Sequence, residues 1–361
     1  MFEQLINFSE SLNHTDMMMR PGMVTKVKSP EGWLDMGGTA FSENDEKELI
    51  TFGEQMTGDP KWMDAMKKTR HSQDFVFEFD GTNGVRLRCK IALSNNGRSY
   101  TVNMRKIPNS IIPLEKTGLP SSVQKLVNQG KGLIIVTGPT GAGKTTTLAA
   151  MVDFINRFKK QHIVTLERPI EYIHTNNQSV ITQRDVPVDV DTFAEGLHDA
   201  LRQSINTIMI GEVMDKATVD TMLMAAETGH LVLATMHTPS AKDTVMRLAS
   251  FYGADEAKQK MSVISSVLNG VIGQTLLPTA DKSGWKLGYE LMINTPVIAN
   301  AIYNGDMKAL GTQLENASKD PRDEMCLMNE VLAKMVKEKS ITMDAAMHAT
   351  YDPVDLRKRA G

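Results

Sequence analysis

Apolar and polar residues alternate in two early stretches of the chain, 74–79 (DFVFEF) and 85–93 (VRLRCKIAL). Alternation with this period is typical of antiparallel strands that have one face against a core and the other in solvent. Each stretch is followed by turn-forming residues, Asp80-Gly81 after the first and Asn95-Asn96-Gly97 after the second. The first 106 residues are therefore predicted to form a small α+β domain.

A different pattern begins after residues 107–120, a stretch with three prolines that neither a continuous helix nor an interior strand accommodates. We predict the interdomain linker there. Beyond it, residues 133–136 (LIIV) form a wholly apolar run, and similar runs follow at 163–166, 208–210 and 231–234. Because strands of a parallel sheet are buried on both faces, these runs predict an α/β domain with a mainly parallel sheet.

Helical spacing separates the first two apolar runs, where Leu148, Met151, Val152 and Ile155 recur on one helix face. From about residue 256 onward helical patterns dominate. We therefore expect residues 121–361 to form one domain whose C-terminal region, from about residue 290 to 361, is helical.

Composition narrows the functional classes. The 361 residues are 41% hydrophobic, which suffices for two cores. A formal charge of −3 provides no global attraction to nucleic acid or acidic membranes. Two distant cysteines indicate neither a zinc knuckle nor a disulfide framework, and no apolar run reaches 18 residues. We expect a cytoplasmic location and no nucleic-acid partner.

Residues 138–145 (GPTGAGKT) match the phosphate-binding pattern GxxxxGK[ST], placed between an apolar run and a helical segment. The backbone N–H groups of such a loop face nucleotide phosphates, and the following helix adds the positive end of its dipole. Lys144 is predicted to reach the β- and γ-phosphates, Thr145 to bind Mg²⁺ and Thr146 to contact the α- or β-phosphate. The predicted cofactors are ATP and Mg²⁺. The predicted binding residues are Gly138, Pro139, Thr140, Gly141, Ala142, Gly143, Lys144, Thr145 and Thr146.

Hydrolysis also requires acidic residues that position water and metal. Residues 207–212 (TIMIGE) form an apolar run that ends in a carboxylate, so Glu212 is the candidate for polarising the attacking water. Residues 165–171 (TLERPIE) offer Glu167 as a second candidate, for metal or for water. Glu171 could act with it or be a solvated loop charge.

Two histidines flank the apolar run 231–234, His230 before it and His237 after it. Seven residues of extended strand would separate them by about 23 Å. A shared role therefore requires local bending or contact with different neighbours.

Four ordered segments of the chain, GPTGAGKTTTLAAMVDFIN, TLERPIEYIH, IMIGEVMD and AAETGHLVLATMHT, resemble the Walker A, Asp box, Walker B and His box of PilT-like ATPases in the type II/IV secretion ATPase superfamily. The similarity covers most of residues 100–360. It implies a RecA-like P-loop NTPase domain at 121–361, a PAS-like domain at 1–106, and a homohexamer with ATP between the two domains. It further implies that His230 and His237 sense the γ-phosphate or an interface. Arginines that reach the nucleotide are implied at Arg86, Arg88, Arg98 and Arg105, with Arg105 the leading candidate.

Two departures from the family pattern bear on the hydrolysis rate, and a third bears on the retraction role. Arg168 stands where the Asp box carries a second acid, and Met214 stands where the Walker B segment carries an arginine. The segment 296–300 (PVIAN) lacks the arginine of the family's retraction motif. The resemblance thus leaves hydrolysis rate and a dedicated retraction role open.

The function that the sequence favours is a hexameric, ATP-hydrolysing motor that powers type IV pilus retraction. It would act at the cytoplasmic side of the inner membrane through a membrane platform protein, with paralogous motor ATPases as further partners. One alternative is an ATPase of a type IV-related secretion or conjugation apparatus. Another is a nucleotide-binding accessory subunit with weak hydrolysis.

Overall fold

The structure is a computed structural model that describes residues 16–29, 32–40, 50–51, 53–54, 61–69, 72–79, 85–95, 99–107, 110–320 and 324–361. The chain divides into two compact units, Met1–Ser110 and Ile111–Gly361. The division falls inside residues 107–120, the stretch to which the sequence assigns the linker.

The described part of the first unit contains a helix and an antiparallel sheet. Its elements are β1 (Asp16–Met19), β2 (Val24–Ser29), β3 (Gly32–Ala40), α1 (Trp62–Thr69), β4 (Ser72–Phe79), β5 (Val85–Ser94) and β6 (Ser99–Ile107). The strand order is β3-β2-β1-β6-β5-β4. The two alternating stretches of the sequence lie in β4 and β5. Alternate residues of β6 are buried, and the Tyr100 ring meets the Trp62 ring edge-on at 5.8 Å, which places the core under this sheet face.

The second unit is built on a seven-stranded sheet. Its strands are β7 (Gly132–Thr137), β8 (His162–Glu167), β9 (Val180–Asp185), β10 (Thr207–Ile210), β11 (Leu231–Met236), β12 (Leu268–Pro278) and β13 (Trp285–Ile293). They are arranged in the order β13-β12-β7-β11-β10-β8-β9. All neighbours from β12 to β9 are parallel, and β13 runs antiparallel to β12. The predicted α/β class with a mainly parallel sheet is confirmed.

Helices cover both faces of this sheet. They are α2 (Ser122–Asn128), α3 (Lys144–Phe158), α4 (Phe193–Ala200), α5 (Lys216–Glu227), α6 (Ala241–Ser250), α7 (Ala254–Val267), α8 (Pro296–Tyr303), α9 (Met307–Ser318), α10 (Met328–Lys337), α11 (Met343–Ala349) and α12 (Pro353–Ala360). Leu133 and Ile135 of β7 join one hydrophobic core, whereas Ile134 and Val136 join the other. A strand with two buried faces has no polar side to present, which explains its unbroken apolar run.

The expectation of dominant helix from residue 256 is wrong for residues 268–293. This stretch forms β12 and β13, which extend the sheet beyond β7. Strand β12 is mostly buried, so it shows little of the polar alternation that distinguishes a strand from a buried helix. The helical region begins with α8. Among the described residues, none of the helices has the length and apolar character needed to cross a membrane.

Candidate nucleotide-binding site

Four neighbouring strands of the second unit bring the predicted site residues to one edge of the sheet. Strands β7, β11, β10 and β8 are adjacent and parallel, so their carboxyl ends coincide. The phosphate loop follows β7, His237 follows β11 and Glu212 lies just beyond β10, while Glu167 ends β8. The carboxyl edge of a parallel sheet is where ligands bind in open α/β folds.

The phosphate loop depends on its glycines. Gly138, Gly141 and Gly143 have φ values of 143°, 81° and 83°, a region that residues with a side chain rarely adopt. A Cβ at position 138 would also lie 2.1 Å from the carbonyl oxygen of Gln274, so strand β12 touches the loop at its start. Helix α3 begins directly after the loop, and its N-cap, Gly143, offers no side chain to bond the first N–H groups.

Lys144 lies over its own loop. Its Nζ donates to the carbonyl oxygens of Gly138 and Pro139, at 2.8 and 2.9 Å, and stands 3.3 Å from Nδ1 of His237. Burial lowers the pKa of Lys144 to about 8, an effect that the negative charge of Glu212 opposes. The predicted phosphate-binding cation is therefore held in place by hydrogen-bond acceptors.

His237 connects this lysine to the candidate catalytic acid. Its Nε2 lies 3.0 Å from Oε1 of Glu212, on the opposite side of the ring from Lys144. A lysine ammonium can only donate hydrogen bonds, so Nδ1 of His237 acts as the acceptor and Nε2–H donates to Glu212. The structure thus brings Lys144, His237 and Glu212 together in one chain of contacts.

Glu212 follows a strand end that its neighbour holds in place. The hydroxyl of Thr235 on β11 donates to the carbonyl oxygen of Gly211, and the N–H of Val213 donates to the carbonyl oxygen of Thr235 at 3.0 Å. Two bonds from β11 therefore fix the backbone on either side of Glu212. Met214 beyond it, one of the departures noted in the sequence, is 63% exposed.

Glu167 has a very different environment, since its side chain is 2% exposed. The hydroxyl of Thr165 and Nε2 of Gln183 donate to its Oε1, at 2.8 and 3.0 Å. Burial raises the pKa of Glu167 to about 7 despite these donors. Arg168 beside it is exposed. Burial raises the pKa of Asp185 at the end of β9, and the positive charge of Arg168 opposes this shift. Arg168 therefore interacts electrostatically with the acidic residue Asp185.

The two threonines that follow Lys144 lie in the first turn of α3. Thr145 is partly exposed, and the hydroxyl of Thr146 is 2.8 Å from the phenol of Tyr172. Among the described residues, no cluster of three or more His, Cys, Asp or Glu side chains could hold a metal ion. Mg²⁺ commonly binds through one or two protein oxygens together with nucleotide phosphates, and the Thr145 hydroxyl fits that donor chemistry.

His230 lies at the opposite edge of the sheet, because it precedes β11 whereas His237 follows it. Its Nδ1 lies 3.0 Å from the carbonyl oxygen of Ala225 and 3.2 Å from the hydroxyl of Thr228. This position does not support contact with nucleotide bound to the P-loop of the same chain. Its role as a sensor stays a prediction.

The candidate arginines belong to the first unit. Nε of Arg105 on β6 donates to Oδ1 of Asp16 on β1 at 2.8 Å, and Arg88 on β5 lies directly opposite Arg105 in the sheet. Arg86 lies on β5 opposite Ile107. Arg98 lies outside the described residues. The predicted action of these arginines on nucleotide is not tested by these positions.

Sequence reasoning missed three polar residues that touch the site. Tyr172 contacts the first turn of α3, Gln183 holds the carboxylate of Glu167, and Gln274 contacts the phosphate loop. Of these three, Gln274 was the one that the sequence could have indicated, because it is a polar residue within the apolar run of β12.

Comparison with known families decides the assignment. The sequence profile of the Type II/IV secretion system protein family matches residues 76–359. The chain belongs to this family. The "Twitching motility protein" of Neisseria gonorrhoeae is 37% identical over 273 residues, which cover 76% of this chain and 71% of that protein. The "Type IV pilus ATPase PilU" of Pseudomonas aeruginosa is 30% identical over 99% of this chain and 90% of its own length.

A solved structure of the same family, the pilus retraction motor PilT with bound ADP, superposes with a TM-score of 0.81. It is 33% identical and covers 98% of both chains. These relatives show that this member of the secretion ATPase family is an ATPase and support nucleotide binding at its phosphate loop. The predicted resemblance to PilT-like ATPases is confirmed.

Proposed function

We propose that this chain is the ATP-hydrolysing motor that powers retraction of a type IV pilus. The observation that carries the proposal is the chain of contacts Lys144–His237–Glu212 at the carboxyl edge of the sheet. It joins a phosphate-binding cation to a carboxylate that can activate water. The names of the relatives, twitching motility protein and pilus retraction motor, favour pilus retraction as the process that hydrolysis drives.

The residues of the site divide the chemistry among them. The loop N–H groups and Lys144 bind the phosphates and neutralise charge that develops on the γ-phosphoryl group. Glu212 accepts a proton from the attacking water, and Nε2–H of His237 orients that carboxylate. Mg²⁺, which Thr145 would hold with phosphate oxygens, would neutralise further charge on the phosphates. Glu167, which is buried two strands from β11, would act on metal or water only after local rearrangement of the surrounding loop.

The assembly and location are also part of the proposal. We place the motor as a homohexamer at the cytoplasmic face of the inner membrane, bound to a platform protein of the pilus machine and working beside paralogous motor ATPases. Arg105 and its neighbours would then supply positive charge to nucleotide across a subunit boundary. The family membership supports this arrangement through the named relatives, PilT and PilU.

The test pairs an enzymatic and a cellular measurement. The purified full chain should release phosphate from ATP, and Glu212→Gln should lower turnover by about a hundredfold or more while ADP still binds, because the amide cannot accept the proton of water. Expressed in a piliated strain that lacks its own retraction motor, the wild-type chain should restore retraction and Glu212→Gln should not. A chain that hydrolyses ATP without restoring retraction would favour a secretion ATPase. Turnover equal to that of Glu212→Gln would favour an accessory subunit.

A further inference from the structure

Gln274 is a buried amide that bridges two parts of the phosphate-binding segment. Its side chain is 1% exposed and projects from β12, the neighbour of β7 on the side away from β11. Nε2 of Gln274 lies 2.6 Å from the carbonyl oxygen of Ala142, within the loop. Its Oε1 accepts a hydrogen bond from the hydroxyl of Thr147 on α3, at 2.8 Å.

The orientation of this amide follows from its partners. The Ala142 carbonyl can only accept a hydrogen bond, so the NH₂ group of Gln274 must face it. The oxygen of Gln274 then faces the Thr147 hydroxyl, which can donate. Both ends of the buried amide are therefore satisfied, and exchanging them would place two acceptors against each other at Ala142.

The hydrogen bond to Ala142 determines which way one peptide group of the loop points. In a trans peptide the C=O and the following N–H point in opposite directions. With the Ala142 carbonyl held toward β12, the N–H of Gly143 is directed away from β12. The N–H groups of this loop are the ones that cradle nucleotide phosphates.

Strand β12 restrains the loop at a second point as well. The backbone carbonyl of Gln274 occupies the space that a side chain at Gly138 would need. One residue of β12 thus contacts the beginning of the loop through its backbone and the end of the loop through its side chain. The two contacts hold both the start and the end of the loop against β12.

We propose that Gln274 is a positioning residue for phosphate binding, which holds the Ala142–Gly143 peptide with its N–H turned to the β-phosphate. This inference rests on the nucleotide-binding part of the proposed function and is independent of the machine that the ATPase drives. Gln274 itself touches no phosphate. Its contribution is the preformed geometry of the loop.

The experiment measures the affinity of the full chain for ADP and for AMP by calorimetry. Gln274→Met keeps the side-chain length and removes both hydrogen bonds, whereas Thr147→Val removes only the bond between Thr147 and Gln274. Without Gln274 the Ala142 carbonyl should turn to another partner in the empty loop, and binding ADP must then turn it back at the cost of leaving a buried carbonyl unsatisfied, so Gln274→Met should weaken ADP binding by about tenfold to a hundredfold. AMP, which has no β-phosphate, should lose much less affinity, and Thr147→Val should lose less ADP affinity than Gln274→Met.

The outcomes separate the inference from the proposed function and from a purely structural role. If wild-type chain binds ADP and Gln274→Met binds it equally well, the inference fails while the assignment of the site stands. If ADP and AMP affinities fall in the same proportion together with the melting temperature, Gln274 only stabilises the fold and the inference is also wrong. A wild-type chain without ADP affinity would instead overturn the nucleotide site itself.

Discussion

The two edges of the parallel sheet in the second unit use polar side chains differently. At the carboxyl edge, Lys144, His237 and Glu212 contact one another. At the amino edge, Nδ1 of His162 lies 3.2 Å from the carbonyl oxygen of Gln203, and Nδ1 of His230 lies 3.0 Å from the carbonyl oxygen of Ala225. Each amino-edge histidine thus contacts a backbone carbonyl and a threonine hydroxyl, whereas His237 at the carboxyl edge lies between a lysine and a carboxylate, two charged groups that can also bind a ligand.

The direction of the strands explains this difference. In a parallel sheet with helical crossovers, each helix that follows a strand begins near the carboxyl edge and presents its N–H groups there. Helix α3 begins at the phosphate loop, and α6 begins shortly after His237. An anion is therefore favoured at the carboxyl edge.

The largest effect is expected from Lys144→Ala, with Lys159→Ala as its counterpart at the other edge. Both lysines donate to two backbone carbonyls, Lys144 to Gly138 and Pro139 and Lys159 to Val127 and Asn128. Only Lys144 faces the predicted phosphates. We expect Lys144→Ala to lower ATP turnover by at least about a hundredfold, because the transferred phosphoryl group loses its cation, and Lys159→Ala to leave turnover within about twofold.

Phosphate release and ADP calorimetry on the two purified variants measure this contrast. Equal losses of turnover in both variants would mean that each lysine acts only by stabilising the fold. The proposed difference between the two edges would then be wrong. Unchanged ADP affinity and turnover in Lys144→Ala would contradict the site.

An intermediate effect is expected for the histidine pair that flanks β11. His237→Ala removes the donor that orients Glu212, so turnover should fall by about tenfold to a hundredfold with a smaller change in ADP affinity. His230→Ala removes contacts to Ala225 and Thr228 at the amino edge, and turnover should stay within about twofold. Steady-state kinetics at saturating ATP distinguishes the two. A loss in His230→Ala as large as that in His237→Ala would show that the amino edge also takes part, for example across a subunit boundary.

The residues of the carboxyl edge could be predicted from the sequence, but the contacts between Lys144, His237 and Glu212 could not. The loop at 138–145 and the strand before it were recognisable because glycines, a lysine and an apolar run are local features. The contact of Lys144 with His237 joins residues 93 positions apart in the chain. It depends on β11 lying beside β7 although β8 to β10 intervene in sequence, and strand order is set by tertiary packing that no local pattern records.

Burial was the second property that sequence could not supply. Glu167 and Glu212 each end an apolar run, so their local patterns are alike, yet Glu167 is buried whereas the side chain of Glu212 is 37% exposed. The difference arises from Thr165, Gln183 and the loop after β8, which enclose Glu167. Strands β12 and β13 were missed for a related reason, because a strand buried in the sheet and a buried helix segment have similar apolar content.

The smallest effect should come from His174, which lies on the segment that returns from the carboxyl edge at β8 to the amino edge at β9. Burial lowers its pKa to about 4, with the charge of Asp153 opposing the shift, and neither ring nitrogen has a hydrogen-bond partner among the described residues. Between about pH 6.5 and pH 4 the unfolded chain binds a proton at this histidine that the folded chain does not. Acidification therefore favours unfolding, by about 2 kcal/mol at pH 5 from this group.

His174→Gln should remove this part of the acid sensitivity, since glutamine has no proton to gain in that range. The measurement is the loss of melting temperature between pH 7.5 and pH 5, which should be smaller in His174→Gln than in wild type whatever the absolute stability of the variant. His198→Gln, which changes an exposed histidine of α4, serves as the control and should lose as much as wild type. Because His174 is part of neither edge, turnover of folded His174→Gln at pH 7.5 should match wild type. A fall in the turnover of His174→Gln at pH 7.5 would show that the segment between β8 and β9 also positions Glu167. That segment would then have to be counted as part of the carboxyl-edge site.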